Sequence, residues 1–397
     1  MMDVHVDLRI EGGTTVLPDG TSPVADVDIG GGRIVAVRRH DVASDVAAGD
    51  RARDATPSTT IDARGRIVAP GLIDLQINGG WGHDFTTDPA SIRVVARRLP
   101  STGVTAFVPT IVTASPARRH AAFAAFADLG RHAAPPAATA IGLHFEGPII
   151  SRSRRGAHAA EWVGMPEVAE LDRWNTGNGL AIVTLAPEVD GAIELIGELT
   201  RRGVVVSVGH TACDVETFAA ARAAGATLVT HLFNAMAPFD HREPGPIGAT
   251  LADGGVRAGL ICDGVHSDPV AIRVAWRALG AARTVLVTDA VAALGLDAAS
   301  TRFGSLDAVI DDVSVRLADG TLAGSKLALD QAIRNLVAMT RCTPAEAIRA
   351  ASTTPADALG LVDRGRIEPG ARADLVIFDE SLRVERTLIG GRSAWKS

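Results

Sequence analysis

Several short apolar runs in the middle of the chain end in a side chain that can bind a cation or move a proton. Glu146 closes TAIGLHFE, His210 closes VVVSVGH, His231 closes ATLVTH and Asp289 closes RTVLVTD. Gln76 and Asn78 stand at the end of VAPGLIDLQIN, and Asp263 and His266 at the end of VRAGLICDGVH. A single histidine at a strand end is ordinarily a packing residue. One carboxylate and two imidazoles from three different runs are, together, a donor set that holds a catalytic zinc and leaves one position open for water. Asp289 suits the companion role of a carboxylate that takes a proton from water acidified by the ion, towards a pKa of roughly 7, and returns it to a leaving group.

These side chains can meet only if the elements carrying them bring the run ends to one rim. Eight runs (68–76, 104–110, 139–146, 180–187, 204–210, 226–231, 256–263 and 283–289) alternate with Ala-rich segments that suit helices, such as PASIRVVARRLPSTG, PARRHAAFAAFADLG and VETFAAARAAG, each closed by Gly. That alternation predicts an α/β fold of the (β/α)8 TIM-barrel type, in which chemistry sits at the carboxyl ends of the strands. No GxGxxG follows the first run, so a dinucleotide-binding fold is not favoured. Beyond the eighth run, 305–323 reads as a β-hairpin and 327–359 as two helices. Both ends of the chain carry short β-branched runs, and neither is large enough for its own core. They are expected to pair into one small β-sandwich of residues 1–66 plus 360–397, leaving 67–359 as the barrel with its hairpin insertion. The stretch from Ser44 to Ser58 has no period and reads as a loop.

Bulk properties narrow the function class. The chain has 397 residues, of which 47% are hydrophobic and 21% charged, and a formal charge of -7. That balance excludes a general attraction to nucleic acid or to an anionic membrane, so anions must be bound by local Arg or His groups. Cys213, Cys262 and Cys342 are scattered without CxxC spacing, which fits a reducing compartment. With no apolar span of membrane length and no signal-peptide pattern, a cytoplasmic protein is expected.

The motifs PGLIDLQINGG, HFEGPII, VGHTACD, THLFNAM with HREPG, CDGVHSDP and VTDA occur in this order between about residues 60 and 380. In them the chain resembles the N-acetylglucosamine-6-phosphate deacetylases of the amidohydrolase superfamily. The resemblance implies a metal-dependent barrel with a terminal β-sandwich, a homodimer, and a phosphorylated amino sugar as substrate. The reaction it implies is hydrolysis of the acetamide of N-acetyl-D-glucosamine 6-phosphate to D-glucosamine 6-phosphate and acetate. Carried over position by position, Glu146, His210 and His231 match the metal ligands. Asp289 matches the catalytic acid and base, and His158 the histidine on the acetamide carbonyl. Ala157, His158, Asn234, Ala235, Arg242, His266, Leu322, Ala323 and Gly324 match substrate contacts. Arg242 is suited to the phosphate through its planar fork, in its own or a neighbouring subunit's site, and Arg154 and Arg155 could assist. His241 has no matching role.

One departure separates this chain from much of the superfamily. Gln76-x-Asn78 stands where His-x-His commonly holds a second metal. Neutral amides are weak ligands beside imidazole, so one divalent ion per chain is expected, zinc first, with iron, cobalt or manganese as alternatives. Three rivals stand beside this reading. An N-acetylgalactosamine-6-phosphate deacetylase would differ in substrate at one hydroxyl. A cyclic-amide hydrolase of the same superfamily would use a modified lysine, which the run LAIVTLAP lacks. A non-catalytic scaffold would ordinarily have lost the ligands.

Overall fold

The computed structural model describes residues 5–40, 56–129, 136–304, 306–311 and 314–397. Most of the Ser44–Ser58 segment, and the Gly130 expected to close a helix, lie outside the described residues. Eight parallel strands form the barrel: Leu72–Ile77, Val104–Val112, Leu143–Glu146, Leu180–Leu185, Val205–Val208, Leu228–Val229, Arg257–Leu260 and Thr284–Leu286. Each pairs with the next in chain order. Their residues are almost all buried, as expected of strands covered on both faces, which is why they read as unbroken apolar runs rather than alternating ones.

Helices cover the outside. Ala192–Arg201 turns Leu195, Ile196 and Leu199 inward, and Leu329–Thr340 does the same with Leu329, Ala332, Ile333 and Leu336, the spacing of one helical face. Each Leu or Ile so buried contributes about 2 kcal/mol relative to exposure. Helix starts follow local chemistry. Thr343 and Glu346 form a reciprocal cap ahead of Pro344–Ala350, and Asp268 caps Pro269–Arg283 through the Val270 amide. A further helix, Thr353–Ala358, follows the two that the sequence predicts after residue 327.

Two expectations about elements are corrected and one is extended. The run 68–76 is two strands: Ile67–Pro70 pairs in the terminal sheet, and only from Leu72 does the chain enter the barrel. The break falls at Gly71, where a Cβ would lie 2.2 Å from Thr105 Oγ1, so only glycine lets the chain pass so close to the neighbouring strand. The hairpin expected over 305–323 is present as Leu306–Ile310 paired antiparallel with Val315–Leu317, and Ser300–Phe303, before the expected range, adds a third strand to it. The helix at 89–103 is α only over Ile92–Arg98, with 3-10 turns on either side. Pro100 has no N–H to continue an α-helix.

Both termini supply the β-sandwich. Strands Leu8–Thr15, Val24–Gly30, Arg33–Arg39, Thr59–Asp62, Ile67–Pro70, Leu375–Phe378, Val384–Ile389 and Arg392–Lys396 are hydrogen-bonded together around Ile10, Val27, Ile29, Val68, Leu375 and Leu388. The sandwich is fused to the barrel, since Val376, Phe378 and Val384 pack in the same cluster as Leu99 and Val104 of the barrel side. Among the described residues no helix is long and apolar enough to cross a membrane.

Candidate active site

At the carboxyl rim the chain leaves three strands through an uncommon backbone turn. His210, His231 and Asp289 have φ of 50°, 28° and 48°, a region that side chains other than glycine rarely occupy. Each such residue costs on the order of 1–3 kcal/mol unless its surroundings fix it. They do: the His210 carbonyl accepts from Ser151 N–H at 2.9 Å, the His231 carbonyl from Asn234 N–H at 3.0 Å, and the Asp289 carbonyl from Ser325 N–H at 2.9 Å. Three strained residues on one rim are a local signature of a functional site.

The side chains converge. Glu146 Oε1 lies 3.1 Å from His210 Nε2 and 2.9 Å from His231 Nε2, and those two nitrogens are 3.2 Å apart. His158 Nε2 approaches Glu146 Oε2 at 3.8 Å. All four residues are buried. His210 Nδ1 lies 2.9 Å from the carbonyl of Arg154, which can only accept. Nδ1 therefore carries the ring proton, and a neutral His210 points a bare lone pair at a carboxylate oxygen. Two acceptors at 3.1 Å are compatible only with a proton or a cation between them. The donor set, with the second nitrogen of a histidine held by a backbone carbonyl, is that of a metal-binding imidazole. The residues present therefore fit a divalent cation.

Electrostatics agree. Burial by itself would raise the Glu146 carboxyl, but the His210 and His231 Nε2 atoms beside it, with the proton or cation that must lie between them and the carboxylate, outweigh it and hold Glu146 well below the usual carboxylate range. Burial, and then the charge of Glu146, push Asp289 up to about 6. Burial and the neighbouring His210 push His158 down to about 3, so its ring is neutral. Asp289 Oδ1 accepts from Asn78 Nδ2 at 2.7 Å and from Gln76 Nε2 at 3.3 Å, while Gln76 Nε2 also reaches Glu146 Oε1 at 3.0 Å. The amides at the positions of the superfamily's first histidine pair thus act as donors that link the two carboxylates.

These groups open onto a cavity of about 370 Å³. Glu146, Ala157, His158, His210, His231, Asn234, Ala235, His266, Asp289, Leu322 and Gly324 line it. Asn234 spends its amide N–H on the carbonyls of His231 and Leu232, and His266 is anchored by Asp263 through a 2.6 Å contact at Nδ1. Ala323, expected as a substrate contact, does not line the cavity: it is fully buried in an apolar cluster with Val112, Val291 and Phe303. Arg242 is exposed and outside the cavity. Arg154 and Arg155 are outside it as well, and Arg155 folds back on the carbonyls of Gly156 and His158. His241 is exposed beside Asp240.

Sequence reasoning missed Thr113, Phe303, Arg316 and Thr321. Thr113 contacts His158 Nδ1 through its hydroxyl at 2.7 Å and its N–H at 3.3 Å, and the other three line the cavity. Thr113 follows the nine-residue strand Val104–Val112 and offers only a hydroxyl, a signal too common to single out.

Residues 67–394 match the Amidohydrolase family. The chain belongs to the amidohydrolase family. Among its members this chain is 41% identical over 351 residues to the N-acetylglucosamine-6-phosphate deacetylase of Mus musculus, covering 85% of each chain. It is also similar to the crystal structure of the N-acetylglucosamine-6-phosphate deacetylase of Thermotoga maritima, with a TM-score of 0.87, 33% identity, and coverage of 98% of this chain and 100% of that one. A mutant of the Mycobacterium smegmatis enzyme, solved in complex with N-acetyl-D-glucosamine-6-phosphate, aligns with a TM-score of 0.86 at 33% identity, over 98% and 99% of the two chains. The barrel and the terminal sandwich are those of an amidohydrolase.

Proposed function

We propose that this amidohydrolase removes the acetyl group of N-acetyl-D-glucosamine 6-phosphate, giving D-glucosamine 6-phosphate and acetate. The observation that carries the proposal is the meeting of Glu146, His210, His231 and Asp289 at the floor of one cavity, in a chain 41% identical to a deacetylase of that substrate. Glu146, His210 and His231 would hold one divalent cation, zinc first, whose chemistry there is to polarise the amide carbonyl and acidify water.

The chain's own groups do the rest. Asp289 Oδ1 is held by Asn78 and Gln76, and Oδ2 has no hydrogen bond to the described residues, which leaves it to take the proton of the attacking water. The water oxygen bonds to the acetyl carbon, and His158 stabilises the charge on the carbonyl oxygen. Asp289 then passes the proton to the departing nitrogen, so that a neutral amine leaves as the C–N bond breaks. Asn234, Ala235, His266 and the backbone of Leu322 and Gly324 orient the sugar, and Ala157 lines the wall beside the acetyl group. Arg242 lies outside its own chain's cavity, so it keeps a phosphate-binding role as a contact across the interface of a homodimer. Three cysteines without a disulfide fit a cytoplasmic enzyme of amino-sugar metabolism.

The test is acetate release from a panel of N-acetylated sugars with and without the 6-phosphate, where N-acetylglucosamine 6-phosphate should be preferred. The Asp289→Asn variant should keep its fold and cation and lose on the order of 10²–10⁴ in kcat. Asp289 works as a base, so the acid limb of kcat/KM should fall at or below about pH 6, since a cation beside it draws its pKa down from about 6. Near-normal turnover of Asp289→Asn removes the residue from the role.

A further inference from the structure

A second chamber of about 240 Å³ lies behind the cavity and shares Ala157, His158 and Phe303 with it as a common wall. That wall is one side chain thick at Phe303, whose ring meets the His158 ring edge-on at a centroid distance of 6.2 Å. The chamber's own lining has one sign of charge. Arg118 and Arg302 border it, no carboxylate does among the described residues, and Thr86, Thr87, Thr113 and Ser115 add hydroxyls. Arg118 is oriented by a hydrogen bond from Nη1 to the carbonyl of Thr87, and Arg302 has Asp307 at 3.8 Å, outside the lining. Trp162, 43% exposed, stands at the edge. A half-open recess lined by two solvent-exposed guanidinium groups and several hydroxyls, with no acid among its described lining residues, attracts a small anion.

We propose that this chamber is a site for a short-chain carboxylate, the acetate product. The assignment rests on the deacetylase reading, in which His158 contacts the acetyl oxygen. Hydrolysis then leaves acetate against the His158 side of the main cavity, with the amino sugar and its phosphate still between it and the open mouth. Retreat past a bound phosphate would carry one anion beside another. The His158–Phe303 wall leads instead to positive charge, and the acetate crosses it when Phe303 swings aside.

The experiment is a calorimetric titration of sodium acetate into the metal-loaded full-length protein at constant ionic strength, with the main cavity saturated with D-glucosamine 6-phosphate. One equivalent of acetate should still bind. Arg118→Met and Arg302→Met should each weaken it about tenfold at an unchanged melting temperature, and Arg118→Lys, which keeps the charge, should lose less. Acetate binding abolished by the amino sugar, equal affinity in all variants, or equal displacement by chloride would each overturn the proposal. Acetate release measured on the same preparations separates the two ideas. Turnover without arginine-dependent acetate binding overturns the chamber alone, whereas arginine-dependent binding without turnover supports the carboxylate site and overturns the deacetylase reading.

Discussion

The proton on His158 is fixed by a neighbour with no chemistry of its own. The Thr113 backbone N–H can only donate, and it points at His158 Nδ1 from 3.3 Å, so Nδ1 is an acceptor and the ring hydrogen sits on Nε2. Nε2 is the nitrogen that faces Glu146 Oε2 and the cavity, which makes His158 a neutral donor aimed where an amide oxygen would lie. The Thr113 hydroxyl, 2.7 Å from Nδ1, reinforces that tautomer, although it also lies within 3.1 Å of the Glu146 carbonyl. Thr113→Val keeps the branched shape and the N–H but loses the hydroxyl. It should lower kcat about tenfold with little change in KM, and Thr113→Ser should restore it. Nitrogen chemical shifts of His158 would read the tautomer directly, and a Val variant with unchanged shifts and unchanged kcat would leave Thr113 as packing. At this scale legibility was uneven. Glu146, His210, His231 and Asp289 stood out because each ends an apolar run in a group that chemistry requires. His158 stood out only through family resemblance, because an exposed-looking RRGAH loop gives no hint that its histidine is buried. Thr113 gave no hint at all, since its role depends on which atom faces it across 45 residues of chain.

Among the strands, the junction that closes the barrel is not an ordinary ladder. Between Thr284–Leu286 and Leu72–Ile77 the connection runs through an isolated bridge from Ile77 to Ala290, the bonds from Asn78, Gly79 and Asp289 N–H, and side chains that include Asp74. The Asp74 carboxylate accepts from Thr288 Oγ1 at 2.6 Å, Thr288 N–H at 3.3 Å and Gln76 N–H at 3.2 Å, so it ties the strand carrying Gln76 and Asn78 to the segment carrying Asp289. Burial is the main reason its carboxyl is pushed up to about 7, and the charge of Asp289 adds to it. In the unfolded chain an Asp titrates near 3.9, so between that value and about 7 the native state holds a proton that the unfolded state has lost. This contribution to stability is complete below about pH 4 and disappears as pH rises to about 7. Asp74→Asn cannot titrate, and its amide can donate to Thr288 Oγ1 while the oxygen accepts the two N–H groups. The melting temperature of the wild type relative to Asp74→Asn should therefore fall between pH 5 and 8, and a constant difference over that range would show that Asp74 stays ionised in the fold. The acid in the middle of LIDLQ does not figure in the sequence reading, because its role depends on Thr288, 214 residues away. The same locality hid the split at Gly71: VAPGLIDLQ is apolar throughout, and only the approach of Thr105 shows that two sheets divide it.

For the molecule as a whole, the order of the strands decides how much a single ion can hold together. Glu146 ends the third barrel strand, His210 and His231 follow the fifth and sixth, and Asp289 follows the eighth beside the closing seam. A cation shared by the first three braces half the circumference, so its binding free energy adds directly to the stability of the barrel. The proposed count of one ion rests on Gln76 and Asn78. A carboxylate cannot donate, so the amide nitrogens must be the atoms turned to Glu146 Oε1 and Asp289 Oδ1. With their nitrogens committed there, these side chains hold both carboxylates in place by hydrogen bonds, the task that a second metal would otherwise perform. Protein dialysed exhaustively against metal-free buffer should retain close to one equivalent of divalent metal per chain. Removing that equivalent with a chelator should lower the melting temperature, and adding back zinc should restore both stability and activity at one equivalent. Retention of two equivalents would mean that the amides turn their oxygens inward as ligands, and the carboxylates would then be held by metal rather than by Gln76 and Asn78.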